Sequence, residues 1–132
     1  MDLELSYKRY QLEIPPGIWQ EFFAQLTDEH RGRLITLKQL DRELGEFDVL
    51  RQKPLFSITY DQPDHSRDLV VTVNRFLGIR EAVYAHRIVA PQAVSIVTDD
   101  DGAIQTCTIT DDDNAQTTIS FEFQQLSQPR GF

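Results

Sequence analysis

The 132-residue chain has one cysteine, six glycines and six prolines, and each scarcity closes off a class of answer. Cys107 alone cannot form an intrachain disulfide, so no disulfide scaffold is expected and a reducing cytoplasm is the default address. Nothing at the N-terminus joins a basic region to an apolar stretch of signal-peptide length. Uninterrupted apolar runs are only a few residues long, far below the roughly 20 that a membrane-spanning helix needs, and no membrane partner is expected. The few glycines form neither a Gly-x-x-x-x-Gly-Lys loop nor a dinucleotide fingerprint, so phosphate chemistry has no visible cradle and no cofactor is implied. No serine stands in a Gly-x-Ser-x-Gly elbow. Basic charge is short too: 13 Lys and Arg face 21 Asp and Glu, giving a formal net charge of -8. Such a field repels phosphate backbones, so nucleic acid is not an expected partner, and the plain reading of the charge is solubility.

What is present reads as one domain over residues 1–126, followed by a patternless tail, 127–132, expected to be disordered. Pro15-Pro16-Gly17 marks a break, and a helix is predicted from about Pro16, where a proline loses no hydrogen bond. Ile18, Trp19, Phe22, Phe23 and Leu26 fall on one stripe of a 3.6-residue repeat. His30 and Arg31 suit the negative end of the helix dipole, and Gly32 can take the left-handed conformation that ends it.

The rest of the chain reads as extended. A short strand is predicted at Leu3–Tyr7 and another at Arg33–Leu37, then a helical turn at Asp41–Leu44 and a loop from Gly45 to Pro54 that lies against the core. Leu55–Tyr60, with Phe56, Ile58 and Tyr60 on one face, is expected to pair with Leu69–Val73 across a turn at Asp61–Ser66. Glu81–Val89 is extended, Pro91 marks a bend or an edge, and a meander follows at about 93–98, 103–110 and 116–124. The fold class is therefore α+β: an antiparallel meander sheet, or a small partly open barrel, with one N-terminal amphipathic helix packed on it.

Several of these residues resemble a known family. Ile14-Pro15, Trp19, Phe22-Phe23, His30-Arg31-Gly32 and Ile35-Thr36-Leu37 look like a group of small bacterial proteins classed as a domain of unknown function. Leu44-Gly45, Leu55, Ser57 and Asp61, and the spacing of His86, Ile88, Pro91 and Val94, are similar to that group as well. The resemblance spans about residues 14–124 and implies no activity.

Chemistry-bearing residues are scattered. The aspartates at 99–101 and 111–113 invite a weak calcium site, but their spacing is not that of an EF-hand, and turns at opposite ends of one strand cannot share an ion. Turn chemistry is the favoured reading. His30, His65 and His86 show no zinc-ligand spacing. Cys107 lies mid-strand between threonines, as a small inert hydrophobe. No catalytic, cofactor or metal residue can be named.

The aromatic group Trp19, Phe22 and Phe23 is expected to be core, with a docking face as the alternative. Binding therefore ranks above catalysis. The leading expectation is a non-enzymatic interaction or self-association module with a protein or homo-oligomeric partner. The alternative is a small-ligand binder with a barrel cavity lined by residues such as Phe56, Ile58, Tyr84, Phe121 and Phe123. A hydrolase assembled from scattered Asp, Glu and His groups ranks last.

Overall fold

Pro15 and Pro16 supply no backbone donors, and the chain turns at this point through a 3-10 segment, Pro16–Ile18, into helix α1, Trp19–His30. In the computed structural model, residues 9–60, 67–74 and 82–122 are described. The expectations for Leu3–Tyr7, Asp61–Ser66, Arg75–Glu81, Phe123 and the tail from Ser127 lie outside the described residues.

Among those residues the strands are β1 (Tyr10–Glu13), β2 (Leu34–Asp41), β3 (Gly45–Tyr60), β4 (Leu69–Asn74), β5 (Ala82–Ile88), β6 (Pro91–Thr98), β7 (Ile104–Asp111) and β8 (Gln116–Phe121). They form one sheet in the order β1-β6-β7-β8-β2-β3-β4-β5. Every neighbouring pair is antiparallel. The expected meander is β6-β7-β8, Pro91 opens β6, and the sheet does not close into a barrel.

Three readings of the middle of the chain are corrected. Gly45–Pro54 is not a loop but the first part of β3, a 16-residue strand. The Asp41–Leu44 segment is the turn of the β2–β3 hairpin, in which Asp41 Oδ1 accepts the N–H groups of Glu43 and Leu44 at 2.7 and 3.1 Å. Phe56 does not share a face with Ile58 and Tyr60. A register shift between Leu55 and Ser57 inserts an extra residue, so Leu55 and Ile58 point into the core and Phe56 points outward.

One core runs under the helix. Trp19, Phe23 and Leu26 pack with Ile35, Leu37, Leu55, Ile58, Val71, Ile109 and Ile119, all of them buried. Trp19 meets Tyr60 edge to face at 5.4 Å, and its ring nitrogen donates to the Ile14 carbonyl at 2.8 Å.

The helix also replaces a missing strand. β3 pairs with β2 only through Pro54, so beyond that point its backbone groups on the β2 side have no strand partner. Leu55 exchanges bonds with Gly32 and Arg33 at 2.8 and 2.9 Å, and Arg31 Nε donates to the Phe56 carbonyl at 3.1 Å. Deeper in, the Thr27 hydroxyl donates to the Ile58 carbonyl at 3.1 Å and accepts the Ile58 N–H at 2.8 Å. Thr27 is only 4% exposed, so water cannot take over either bond.

The sheet must also curl. Only Val89 and Ala90 join β5 to β6, which stand six places apart in the strand order. In a flat sheet that separation would be about 29 Å, against a reach of about 11 Å for the link. Ala90 takes a left-handed φ of 52°, and its N–H is held by Asp68 Oδ1 at 3.2 Å while Asp68 Oδ2 accepts from Arg87 Nε at 2.6 Å.

Replacing Thr27 by valine keeps its shape but leaves two buried main-chain groups unpaired. Urea unfolding should show Thr27→Val losing on the order of 3 kcal/mol, with Thr27→Ser losing about 1 kcal/mol or less. Equal losses for the two variants would mean that the hydroxyl is not what matters.

Candidate functional site

Among the described residues, most groups that could carry chemistry are buried or bonded within the fold. Cys107 is fully buried on β7, and burial pushes its thiol pKa up to about 12, so it offers no thiolate nucleophile. His30 is buried at the end of α1, where its Nδ1–H donates to the Leu26 carbonyl at 3.0 Å and its ring lies 4.4 Å from that of Phe121. It is thus packed into the core at the helix end. His86 lies opposite Val71 in the β4–β5 pair, half-buried on the core-facing side. Burial lowers its pKa from the ordinary value of 6.5. His65 falls outside the described residues.

Among the described residues, Asp111, Asp112 and Asp113 alone bring three possible metal-ligating groups within 4.8 Å of one another. The same atoms explain the turn without an ion. Asp111 Oδ1 accepts the N–H groups of Asp113 and Ala115 at 2.9 and 3.0 Å, and Asn114 takes a φ of 66°. Asp99 repeats this at the other end of β7, accepting from Asp101 and Ala103 at 2.9 and 3.0 Å, with Gly102 at a φ of 84°. Two five-residue turns of one design account for both triplets.

The residues nominated for a docking face are spent on the core. Trp19 and Phe23 are buried and Phe22, half-buried, meets the Phe23 ring edge to face at 5.0 Å, leaving Ile18 as the exposed apolar residue of the stripe. Of the residues named for a ligand cavity, the four described lie in different settings: Phe56 points outward, Ile58 lies under Thr27, Phe121 packs against the His30 ring, and Tyr84 stands on the edge strand β5. On the outer face, a shallow groove of about 300 Å³ is lined by Gln11, Glu13, Ala93, Ser95, Val97, Thr108, Thr110 and Gln116. It is polar and holds one carboxylate.

The surface that stands out is an edge no residue nomination anticipated. β1 ends the sheet order, and all four of its residues are exposed. Tyr10 and Leu12, 48% and 50% exposed, lie opposite Thr98 and Ile96 and so belong to the core-facing side, overhanging the core at the sheet margin. Ile14 N–H donates to the Val94 carbonyl at 2.9 Å. In an antiparallel strand alternate residues direct their N–H and C=O to the same side, so Leu12 and Tyr10 bond to β6 as well, while Gln11 and Glu13 direct theirs outward, and Arg9, just before the strand, turns its C=O outward opposite the Tyr10 N–H of the same peptide plane. The Tyr10-x-Leu12-x-Ile14 alternation was a signal that could have located this strand.

The two titration and turn assignments are measurable. Because the folded protein disfavours charged His86, the unfolded chain binds that proton more readily. The stability this histidine contributes is complete above pH 6.5 and is lost as the pH falls from there toward the lower folded-state value. Subtracting the Tm-against-pH curve of His86→Gln from that of the parent should expose this acid-side loss; a flat difference would contradict it. Asp99→Ala and Asp111→Ala should each cost about 1–2 kcal/mol through two lost amide bonds, and millimolar calcium should leave the parent Tm unchanged. A calcium-dependent rise in Tm that Asp111→Ala removes would reinstate the metal reading.

No curated protein and no solved structure shows significant similarity to the chain. A family of unknown function, DUF5335, does match, over residues 10–130, and its span takes in β1, the helix and every later strand described above. The chain belongs to this family, DUF5335.

Proposed function

We propose that this chain is a non-enzymatic association module that binds a protein partner by strand addition at β1. The observation that carries the reading is the β1 edge itself. Its outward N–H and C=O groups form a ready template, and Tyr10 and Leu12 offer apolar surface beside it. Edges that avoid such contacts are usually marked by a bulge, a proline or a central lysine. β1 has none over Tyr10–Glu13, and its register with β6 runs without a shift.

The strand is also rigidly presented. Ile14 is tied to Val94 through its N–H and to Trp19 through its carbonyl, so the end of β1 is fixed to both the sheet and the helix. A pre-ordered edge loses little conformational entropy when a partner strand docks. A catalytic reading has less behind it, because among the described residues His30 and the aspartate turns are held in bonds of the fold and Cys107 is buried.

Gln11→Pro separates the edge from the fold, since it removes an outward N–H and leaves the bonds to β6 in place. With a benzoylphenylalanine photo-crosslinker at Tyr10, adducts should form in source-cell lysate, and Gln11→Pro should abolish them with little change in Tm. The same crosslinker in the exposed turn at Asp112 should give no such adducts. Undiminished crosslinking by a folded Gln11→Pro protein would overturn the reading.

A further inference from the structure

We infer that the strand β1 accepts is β1 of a second copy of this chain, paired about Gln11; this rests on the edge-binding reading above. Outward-facing residues of two antiparallel edges must lie opposite one another, and here those residues are Arg9, Gln11 and Glu13. Centring the pair on Gln11 satisfies that parity at every position. Gln11 faces Gln11 of the second copy, and Arg9 faces Glu13 in each direction.

The sequence Arg9-Tyr10-Gln11-Leu12-Glu13 is therefore self-complementary in charge. The two positions that meet carry opposite signs, and the two-fold axis makes that pair twice. The same register brings Tyr10 of one copy beside Leu12 of the other on the core-facing side, so the overhanging apolar surfaces cover each other. Three opposed pairs with two bonds each give about six main-chain hydrogen bonds. Shifting the register by one residue sets outward groups against inward ones, and shifting it by two breaks the charge pairing.

A four-residue edge is much smaller than the roughly 800 Å² per partner of a stable complex, so the dimer is weak and exchanges readily, with a Kd between about 1 μM and 1 mM. The self-association is set by local complementarity at the strand and not by the helix stripe, which the core occupies.

Sedimentation velocity on the whole chain between about 10 μM and 1 mM should show a monomer–dimer equilibrium. Arg9→Glu and Glu13→Arg should each weaken it about tenfold by setting like charges opposite one another twice, and the double variant should restore it. Both positions are exposed, and circular dichroism with Tm verifies that each variant folds. As a second measurement on the unmodified chain, exchange of the Gln11 amide should slow as concentration rises while that of Leu12 stays constant. A dimer indifferent to both charge reversals overturns the register. A chain that stays monomeric while Tyr10 crosslinks other proteins overturns self-pairing and leaves edge binding standing; a monomer with no crosslinked adducts overturns both.

Discussion

Ile58 carries the constraint on which the rest of the architecture depends. Its N–H and C=O face the side of β3 that β2 leaves uncovered, in the middle of the core, where a bare strand edge would be untenable. The Thr27 hydroxyl meets both groups, which it can do because a hydroxyl donates and accepts at once. That contact fixes the helix in depth and rotation. With Thr27 held there, Phe23 and Leu26 are directed into the sheet and Trp19 reaches Tyr60 and the Ile14 carbonyl. Because Ile14 is bonded to Val94, the position of β1 against β6 follows from the docking of a helix on a strand at the far side of the sheet order.

The same placement explains why a sheet that curls this far stays open. The short β5–β6 link draws the two ends of the order together, and Asp68 holds that link by bonding both Arg87 and the Ala90 amide. Closure would need β5 to pair with β1 at the other end of the order, and among the described residues β1 pairs with β6 alone. β1 occupies the side of β6 that a simple β5–β6 hairpin would use. Among the described residues its outer edge is left without a strand partner.

Local signals carried much of this architecture into the sequence. The helix stripe and the β6-β7-β8 meander follow from periodicity, and both aspartate turns follow from side chains that bond their own backbone within four residues. Features that depend on distant partners were illegible. β3 reads as a loop because Gly45 and Pro54 look like punctuation and its bulges break the two-residue alternation, which also reversed the facing of Phe56. Gln52 shows the same effect: its φ of 53° within a strand is held by bonds to Thr36 and Glu122, residues 16 and 70 positions away. Thr27 borders the apolar stripe beside Leu26, and nothing in that pattern marks it as the partner of a residue 31 positions on. At the candidate site the residue types were visible, but their parity was not. Only the Ile14–Val94 bond tells which of Tyr10 and Gln11 faces outward.

Parity sets how many bonds the edge can make, and charge sets which strand it can meet. A net charge of -8 on each copy opposes association, and at physiological ionic strength this repulsion is screened over about 8 Å. What decides contact is then the balance within a few residues of the meeting point. Over residues 9–13 that balance is neutral, one arginine and one glutamate, and both lie among the outward-facing positions. Had the parity been opposite, the same register would still set Arg9 against Glu13, but only Tyr10 and Leu12 would supply outward main-chain groups, giving about four bonds across the pair in place of about six. The bond that seats β1 on its own sheet therefore also decides how many main-chain bonds its free edge can offer in the charge-matched register.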